Sequence, residues 1–262
     1  MGRYLIPLLQ EKGHDCILFK GDIRDKNKMI GLRKEKVDAV IHLAAKLGGR
    51  GEKLFYEVNV EGTRNLIEMC GHDQLRCFIF LSSIRVLSSQ QNPYSLSKKA
   101  AEEIVVGSGA PYIILRPSLL YGKGDQKNLG FFFALINRLP VVPILNFKIQ
   151  PLFVGDLAKI IAGCLEFKTN QIINIVGRET ASLADILRSA NFLANGHSFI
   201  LRLPRCFAYL LKLISWCPGF PFSWQQIRPL LSSEIFSGDP WWNLFKIEPT
   251  RITAGLKQIL KQ

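Results

Sequence analysis

The stretch CFIFLSS at residues 77–83, followed by YSLSK at residues 94–98, is the most informative part of this chain about its fold. A continuous apolar run that stops at two serines is typical of a buried parallel strand at its carboxyl end. In open α/β sheets, ligands bind outside that end of the strands. The sequence therefore predicts a parallel sheet with Ser83 at its ligand-binding edge.

Tyr94 and Lys98 are four residues apart, which places both side chains on the same face of a helix. An ammonium beside a phenol should lower the pKa of Tyr94 towards the range of a general acid or base. A nearby Ser83 hydroxyl would hold a substrate carbonyl or alcohol within reach of the phenol. We predict these three residues as the catalytic set of a reaction in which a nicotinamide moves a hydride. An ordinary amphipathic helix face is the alternative interpretation.

Strands and helices alternate outward from this stretch. The predicted strands are residues 16–19, 37–45, 77–83, 112–115 and 171–176, and the predicted helices are residues 3–12, 27–36, 56–70 and the segment that begins near Tyr94. This alternation predicts an α/β fold with a Rossmann-type, doubly wound parallel sheet.

The alternation breaks after Pro117, where proline, glycine and aromatic residues become frequent. We expect residues 1–118 to form a dinucleotide-binding domain, which the strand at 171–176 rejoins. Residues 119–262 are expected to form a smaller, mainly helical substrate-binding or cap region.

The composition limits the class of protein. The chain has 262 residues, of which 48% are hydrophobic and 21% charged, as is ordinary for a folded protein. Its six cysteines are scattered, without a Cys-x-x-Cys pair or a histidine cluster. This pattern argues against a metal site or a disulfide framework and favours a reducing, cytoplasmic location.

The net charge of +13 indicates which partners to expect. Anionic small molecules or an acidic membrane surface would suit it, whereas the wide spread of the basic residues argues against nucleic acid. The apolar stretch 206–217 is too short to span a bilayer. We expect a buried or lid helix there, with peripheral membrane contact as the alternative.

Seven segments, taken in order, resemble the extended short-chain dehydrogenase/reductases of the NAD-dependent epimerase/dehydratase family. They are Gly2-Arg3-Tyr4-Leu5, Asp22-Ile23, His42-Leu43-Ala44-Ala45, the run Asn59 to Leu66, the set Ser83, Tyr94 and Lys98, Leu115-Arg116-Pro117 with Tyr121-Gly122, and the run Phe153 to Ala158. The resemblance implies a Rossmann fold, an NAD or NADP cofactor, and catalytic roles for Ser83, Tyr94 and Lys98.

The resemblance also implies a set of cofactor-binding residues. Gly2 is similar to the last glycine of a phosphate-binding turn, and Asp22-Ile23 to a pair that contacts adenine. The full implied set is Gly2, Asp22, Ile23, Leu43, Ala44, Ala45, Asn59, Tyr94, Lys98 and Pro117. Lys20 lies near the position that discriminates between the two dinucleotides, and it leaves NADP open beside NAD.

Departures from the family pattern suggest an N-terminally truncated member of an atypical branch. The sequence opens inside what resembles the first helix, without the preceding strand and with one of three glycines. Residues 1–262 alone are therefore expected to bind dinucleotides weakly. The loop between Ser83 and Tyr94 is short, and Leu87 replaces a tyrosine that is common in the family.

The leading interpretation is an NAD(P)-dependent epimerase, dehydratase or reductase that acts on a hydroxyl or keto group, with a nucleotide-linked sugar as the expected substrate. The alternative is a dinucleotide-binding assembly or regulatory subunit without turnover, or an inactive relative. A homodimer stays open. Among the other candidates, we expect Asp156 to cap a helix, His42 to be packed, and Trp241-Trp242 to anchor the C-terminal segment.

Overall fold

Helices and strands alternate along the chain in the computed structural model, which describes residues 1–34, 36–49, 51–70, 75–125, 129–145, 147–208 and 233–260. The strands are β1 (Ala39–His42), β2 (Cys77–Leu81), β3 (Tyr112–Pro117), β4 (Leu120–Tyr121), β5 (Val141–Leu145), β6 (Lys148–Ile149), β7 (Leu152–Phe153), β8 (Gln171–Ile175), β9 (Ala181–Ser182) and β10 (Phe199–Leu203). The helices are α1 (Gly2–Glu11), α2 (Lys26–Met29), α3 (Glu52–Tyr56), α4 (Gly62–Cys70), α5 (Pro93–Gly107), α6 (Leu129–Ile136), α7 (Val154–Cys164), α8 (Leu183–Leu193), α9 (Trp241–Leu244) and α10 (Ile252–Leu260).

A four-stranded parallel sheet in the order β1-β2-β3-β8 forms the centre of the fold. In β2, Phe78, Ile79 and Phe80 are completely buried, because helices cover both faces of the sheet. Apolar side chains of α1 and α7 pack on one face, and those of α4 and α5 pack on the other. The predicted Rossmann-type, doubly wound sheet is confirmed.

The strand predicted at residues 16–19 is wrong. These residues belong to no helix or strand and make no strand pairing with the described part of the chain. Ile17 and Leu18 are each 54% exposed, so this run of apolar residues is not covered as a sheet strand would be. β-propensity alone does not produce a strand, since the ladder hydrogen bonds with a paired neighbouring strand supply the stabilisation.

The second half of the chain contains a small sheet that its sequence does not predict. β5 and β10 pair in parallel and pack against α6 and α8 in a separate apolar cluster. Pro143 lies inside β5, and a proline normally argues against a strand. Residues 209–217 of the apolar stretch lie outside the described residues. Within the described ranges, no helix has the length and apolar character needed to cross a bilayer.

The C-terminal segment is tied back onto the sheet. Trp241 is fully buried, and its indole Nε1 donates a hydrogen bond to the Val176 carbonyl at 2.8 Å. The Asp156 carboxylate accepts hydrogen bonds from the backbone N (2.8 Å) and the hydroxyl (2.7 Å) of Thr250. Asp156 therefore anchors this segment and does not cap α7, whose N-cap is Phe153; the predicted cap is wrong.

Replacing Trp241 by Ala should lower the free energy of unfolding by about 3–5 kcal/mol, because it leaves a large cavity and an unpaired Val176 carbonyl. The neighbouring Trp242→Ala variant is the matched control, since Trp242 is only partly buried. Urea unfolding monitored by circular dichroism measures both. Equal losses in the two variants would contradict the anchoring role of Trp241.

Candidate active site

The predicted catalytic residues gather at the carboxyl edge of the central sheet. Ser83 lies two residues after β2, and Pro117 ends the neighbouring strand β3. Tyr94 lies in the first turn of α5, which starts with a capping box between Asn92 and Ser95. This reciprocal pair of hydrogen bonds, at 2.8 and 2.9 Å, determines where α5 begins and so where Tyr94 is presented.

Ser83 and Tyr94 are directly linked. The Ser83 hydroxyl hydrogen-bonds the phenol of Tyr94. Burial raises the pKa of Tyr94, and the Ser83 hydrogen bond only partly offsets that effect. The expected lowering of the Tyr94 pKa by Lys98 is therefore wrong for this structure, where the phenol stays protonated at neutral pH.

Lys98 is almost completely buried, at 1% exposure. Its Nζ lies 3.9 Å from the ring centroid of Phe80, in a cation–π contact. Burial lowers the pKa of Lys98 to about 7, although the charge of Glu102 acts in the opposite direction. The Lys98 ammonium thus lies against the Phe80 ring of β2, and burial and the Ser83 hydrogen bond determine the Tyr94 pKa.

Behind Lys98 lies an ion pair that the sequence analysis did not identify. Arg116 donates to both carboxylate oxygens of Glu102, from Nε at 2.9 Å and from a terminal nitrogen at 2.6 Å. Glu102 is four residues after Lys98 and Arg116 lies on the adjacent β3, so helical spacing was the available signal. The pair holds a negative charge one turn beyond Lys98 while satisfying the buried carboxylate.

His42 is a packed core residue, as expected. It is 2% exposed, and its Nε2 lies 2.9 Å from the Thr63 hydroxyl, which itself donates to the Asn59 carbonyl. The hydroxyl proton is thus used, so His42 Nε2 is the donor in this contact. Burial, followed by the charge of Lys98, lowers the pKa of His42 to about 3, and the ring is neutral.

Asn59 connects the loop after β1 to α5. Its side-chain oxygen accepts from the Lys46 amide at 2.7 Å, and its nitrogen donates to the Lys46 carbonyl at 3.2 Å and to the Ser97 hydroxyl at 2.8 Å. Ser97 in turn donates to the Tyr94 carbonyl at 2.8 Å. Asn59 lies in a π-helical turn, a feature that often marks functional sites. Its amide is fully used to position the loop that contains Leu43, Ala44 and Ala45.

Three more of the predicted cofactor residues lie in the helices and loops outside the catalytic set. Gly2 is the first residue of α1. The exposed Asp22 carboxylate accepts three hydrogen bonds from the Arg24 side chain at 2.6–3.1 Å, which lower its pKa to about 2. Ile23 is buried against Gly62, where an added Cβ would come within 2.6 Å of the isoleucine side chain. Among the described residues, neither Gly2 nor Asp22 has a hydrogen bond to Ser83, Tyr94 or Lys98.

Two polar groups at this edge are suited to a ligand. Among the described residues, Ser82 Oγ is buried without a hydrogen-bond partner, and the buried Lys98 Nζ lies over the Phe80 ring. A buried polar group without a partner is costly unless a water or a ligand satisfies it. These two groups beside Tyr94 fit the hydroxyl-rich nicotinamide ribose of a dinucleotide. The residues predicted to contact adenine fit less well, because the Asp22 carboxylate already accepts hydrogen bonds from Arg24.

Replacing Lys98 by Met should stabilise the protein at pH 6, by on the order of a few kcal/mol. The folded-state pKa of about 7 lies below the ordinary lysine pKa of 10.5, so the penalty of burying the charge is fully present below pH 7. The penalty disappears as the pH rises from 7 towards 10.5. Urea unfolding at pH 6 and pH 9 measures the difference, with the exposed Lys99→Met as control. A gain that does not shrink with pH contradicts the depressed pKa.

Comparison with known proteins agrees with this geometry. The model of the NAD dependent epimerase/dehydratase family matches residues 1–176, and the chain belongs to this family. The structure of the Bordetella bronchiseptica enzyme WbmH in complex with NAD+ superposes with a TM-score of 0.78, covering 99% of this chain and 93% of the other, at 15% identity. At that identity the similarity establishes the fold alone.

Two curated relatives are similar over part of their length. The ceramide reductase of Caulobacter vibrioides is 30% identical over 171 residues, which cover 64% of this chain and 53% of the relative. The UDP-glucose 4-epimerase of Vibrio cholerae is 27% identical over 205 residues, which cover 66% of this chain and 62% of the relative. The chain thus spans between half and two-thirds of these relatives.

Proposed function

We propose that this chain is an NAD(P)-dependent epimerase, dehydratase or reductase that acts on a hydroxyl or keto group of a nucleotide-linked sugar. The observation that carries the proposal is the Ser83–Tyr94 hydrogen bond beside the buried Lys98, at the carboxyl edge of a Rossmann-type sheet. An ordinary amphipathic helix face would not require a buried lysine.

Each residue of the set has a distinct role in the proposed reaction. Tyr94 exchanges a proton with the substrate oxygen at its phenol oxygen, and Ser83 orients that oxygen. Because burial raises the Tyr94 pKa, the phenol is protonated at neutral pH and carries the proton that a keto group would accept. A bound dinucleotide would supply the hydride donor or acceptor.

Lys98 and Ser82 are proposed to hold the nicotinamide ribose. Lys98 Nζ would donate hydrogen bonds to the ribose hydroxyls. The ribose hydroxyls would also give Ser82 Oγ the hydrogen-bond partner that it lacks among the described residues. Gly2, Asp22, Ile23, Leu43, Ala44, Ala45, Asn59 and Pro117 remain predicted cofactor residues. For Asp22 to contact adenine, its carboxylate must first release its hydrogen bonds with Arg24 and then bind the base.

The substrate class is supported by charge and by similarity. The net charge of +13 suits a substrate with a diphosphate, and one relative is a UDP-glucose 4-epimerase. The ceramide reductase among the relatives makes a lipid-linked alcohol or ketone the competing substrate class. We propose that the chain works in the cytoplasm, and a homodimer and peripheral membrane contact remain predictions.

The test is conversion of UDP-glucose or UDP-galactose in the presence of a high concentration of NAD or NADP, monitored by absorbance of the reduced cofactor and by NMR of the sugar. We expect conversion by the unchanged chain and by Tyr112→Phe, a matched control at the opposite end of the sheet. Conversion of a ceramide-type ketone instead would shift the substrate class. Dinucleotide binding without any turnover would favour the alternative of a binding subunit.

A further inference from the structure

Residues Ser233–Asp239, termed here the C-terminal strap, lie along the carboxyl edge of the sheet. The Ser233 hydroxyl accepts a hydrogen bond from the Lys148 amide at 3.3 Å. The Gln150 side chain binds the backbone of Phe236 at two points, donating to its carbonyl at 3.2 Å and accepting from its amide at 2.9 Å. Asp239 accepts from the Asn174 amide of β8 at 2.6 Å. The strap is therefore held along its length.

One side chain of the strap, Glu234, binds the loop that follows Ser83. Its Oε1 accepts a hydrogen bond from the Ser89 amide at 2.9 Å, and its Oε2 accepts one from the Ser88 hydroxyl. The guanidinium of Arg85 lies 3.9 Å from the same Oε2 and 5.8 Å from the ring centroid of Phe236. Both carboxylate oxygens are thus used by the loop.

The loop that Glu234 holds begins at Ser83. Residues Ile84–Leu87 form a single 3₁₀ turn with Ser83 as its N-cap. The Arg85 amide donates to the Ser83 hydroxyl at 3.3 Å, and the Ser88 amide closes the turn on the Arg85 carbonyl at 3.1 Å. Glu234 therefore contacts Arg85 near the start of the turn and Ser88 and Ser89 at its end.

The charge of Glu234 suits this role. Burial acts to raise the pKa of Glu234, but the hydrogen bonds from Ser88 and Ser89 and the charge of Arg85 together lower it. The group is consequently ionised at neutral pH, and its hydrogen bonds are charge-assisted. A neutral amide would keep one acceptor oxygen and lose the attraction to Arg85.

We infer that Glu234 is a positioning residue for Ser83. By holding both ends of the 3₁₀ turn, it restrains the serine that hydrogen-bonds Tyr94, and so it links the C-terminal region to the reacting groups. The inference rests on the proposed function, because positioning Ser83 matters for turnover only if Ser83 orients a substrate. It differs from a substrate-binding role, since both Glu234 oxygens are already occupied by the loop.

The test compares Glu234→Ala and Glu234→Gln with Glu248→Gln, which removes an exposed carboxylate from the same C-terminal region. Hydrogen exchange should become faster in residues 84–89 of the Ala variant, with a smaller change in the Gln variant. With UDP-glucose and NAD as probes, kcat should fall about 10- to 100-fold in Glu234→Ala, the range for a misplaced reacting group, while KM for NAD stays unchanged. The Gln variant should recover part of the loss.

The inference would be overturned if hydrogen exchange in residues 84–89 of Glu234→Ala is unchanged. It would also be overturned if that exchange becomes faster while kcat equals that of the Glu248→Gln control. A loss of kcat that is accompanied by a parallel loss of global stability would indicate a merely structural role for Glu234, and this result would also overturn the inference. If the unchanged chain has no turnover, the proposed function fails, and the positioning role fails with it. If the unchanged chain is active and Glu234→Ala matches it, only the inference fails.

Discussion

Replacing Tyr94 by Phe should reduce turnover by about 10²–10⁴, the usual range for the loss of a general acid or base, with dinucleotide affinity nearly intact. The substitution removes the phenol oxygen that Ser83 hydrogen-bonds and keeps the ring, so packing should change little. Steady-state kinetics with a UDP-sugar and NAD measure kcat, and fluorescence titration with NADH measures affinity.

The control for this variant is Tyr112→Phe, which removes a phenol oxygen at the start of β3, away from the carboxyl edge. Its turnover should equal that of the unchanged chain. Should Tyr94→Phe also retain full turnover, the Tyr-x-x-x-Lys pair is an ordinary helix face. The alternative of a binding protein would then be favoured.

Replacing Lys98 by Met should reduce both turnover and dinucleotide affinity. The Lys98 ammonium is the buried donor that we assign to the ribose, so its loss should weaken NADH binding by about tenfold or more. Turnover should fall as well, because a misplaced nicotinamide lies outside the reactive geometry. The same two measurements as for Tyr94→Phe separate these effects.

Lys99→Met is the matched control, because Lys99 is the exposed neighbour on the same helix. It should leave both quantities within about twofold of the unchanged chain. If Lys98→Met keeps its NADH affinity and loses only turnover, Lys98 acts on Tyr94 alone and the ribose assignment is contradicted. This result would also restore the role that the sequence predicts for Lys98.

The sheet and the proximity of Ser83 to Tyr94 could be predicted from the sequence because both depend on local patterns. A continuous apolar run such as the one before Ser83 is typical of a strand that is buried on both faces, and β2 is buried in this way. The four-residue spacing of Tyr94 and Lys98 is a property of any helix, and α5 has the capping residues to form one. These predictions needed no knowledge of distant contacts.

The predictions that failed depend on distant neighbours. Residues 16–19 have strand-forming side chains, but a strand needs a paired edge, and none of the described strands pairs with them. The Tyr94 pKa was expected to fall because Lys98 is close in sequence. The ammonium instead lies over Phe80, and burial determines the pKa. Asp156 has the position of a helix cap, yet Thr250, almost a hundred residues later, takes its carboxylate.

The contacts of Glu102 and Glu234 also show that interactions are harder to predict from the sequence when the partners are far apart in the chain. Glu102 follows Lys98 by one helical turn, so a reader of the sequence has a local reason to expect an interaction. Nothing near Glu234 indicates that it binds the loop after Ser83, since the two segments are about 145 residues apart. Only the folded chain brings them together.

The most direct test of the central claim is an experimental structure of this chain with NADH bound. We expect the nicotinamide ribose at the carboxyl edge of the sheet, with its hydroxyls about 3 Å from Tyr94 Oη and from Lys98 Nζ. A dinucleotide bound elsewhere, or a Lys98 ammonium that stays on Phe80 without a ribose contact, would contradict it.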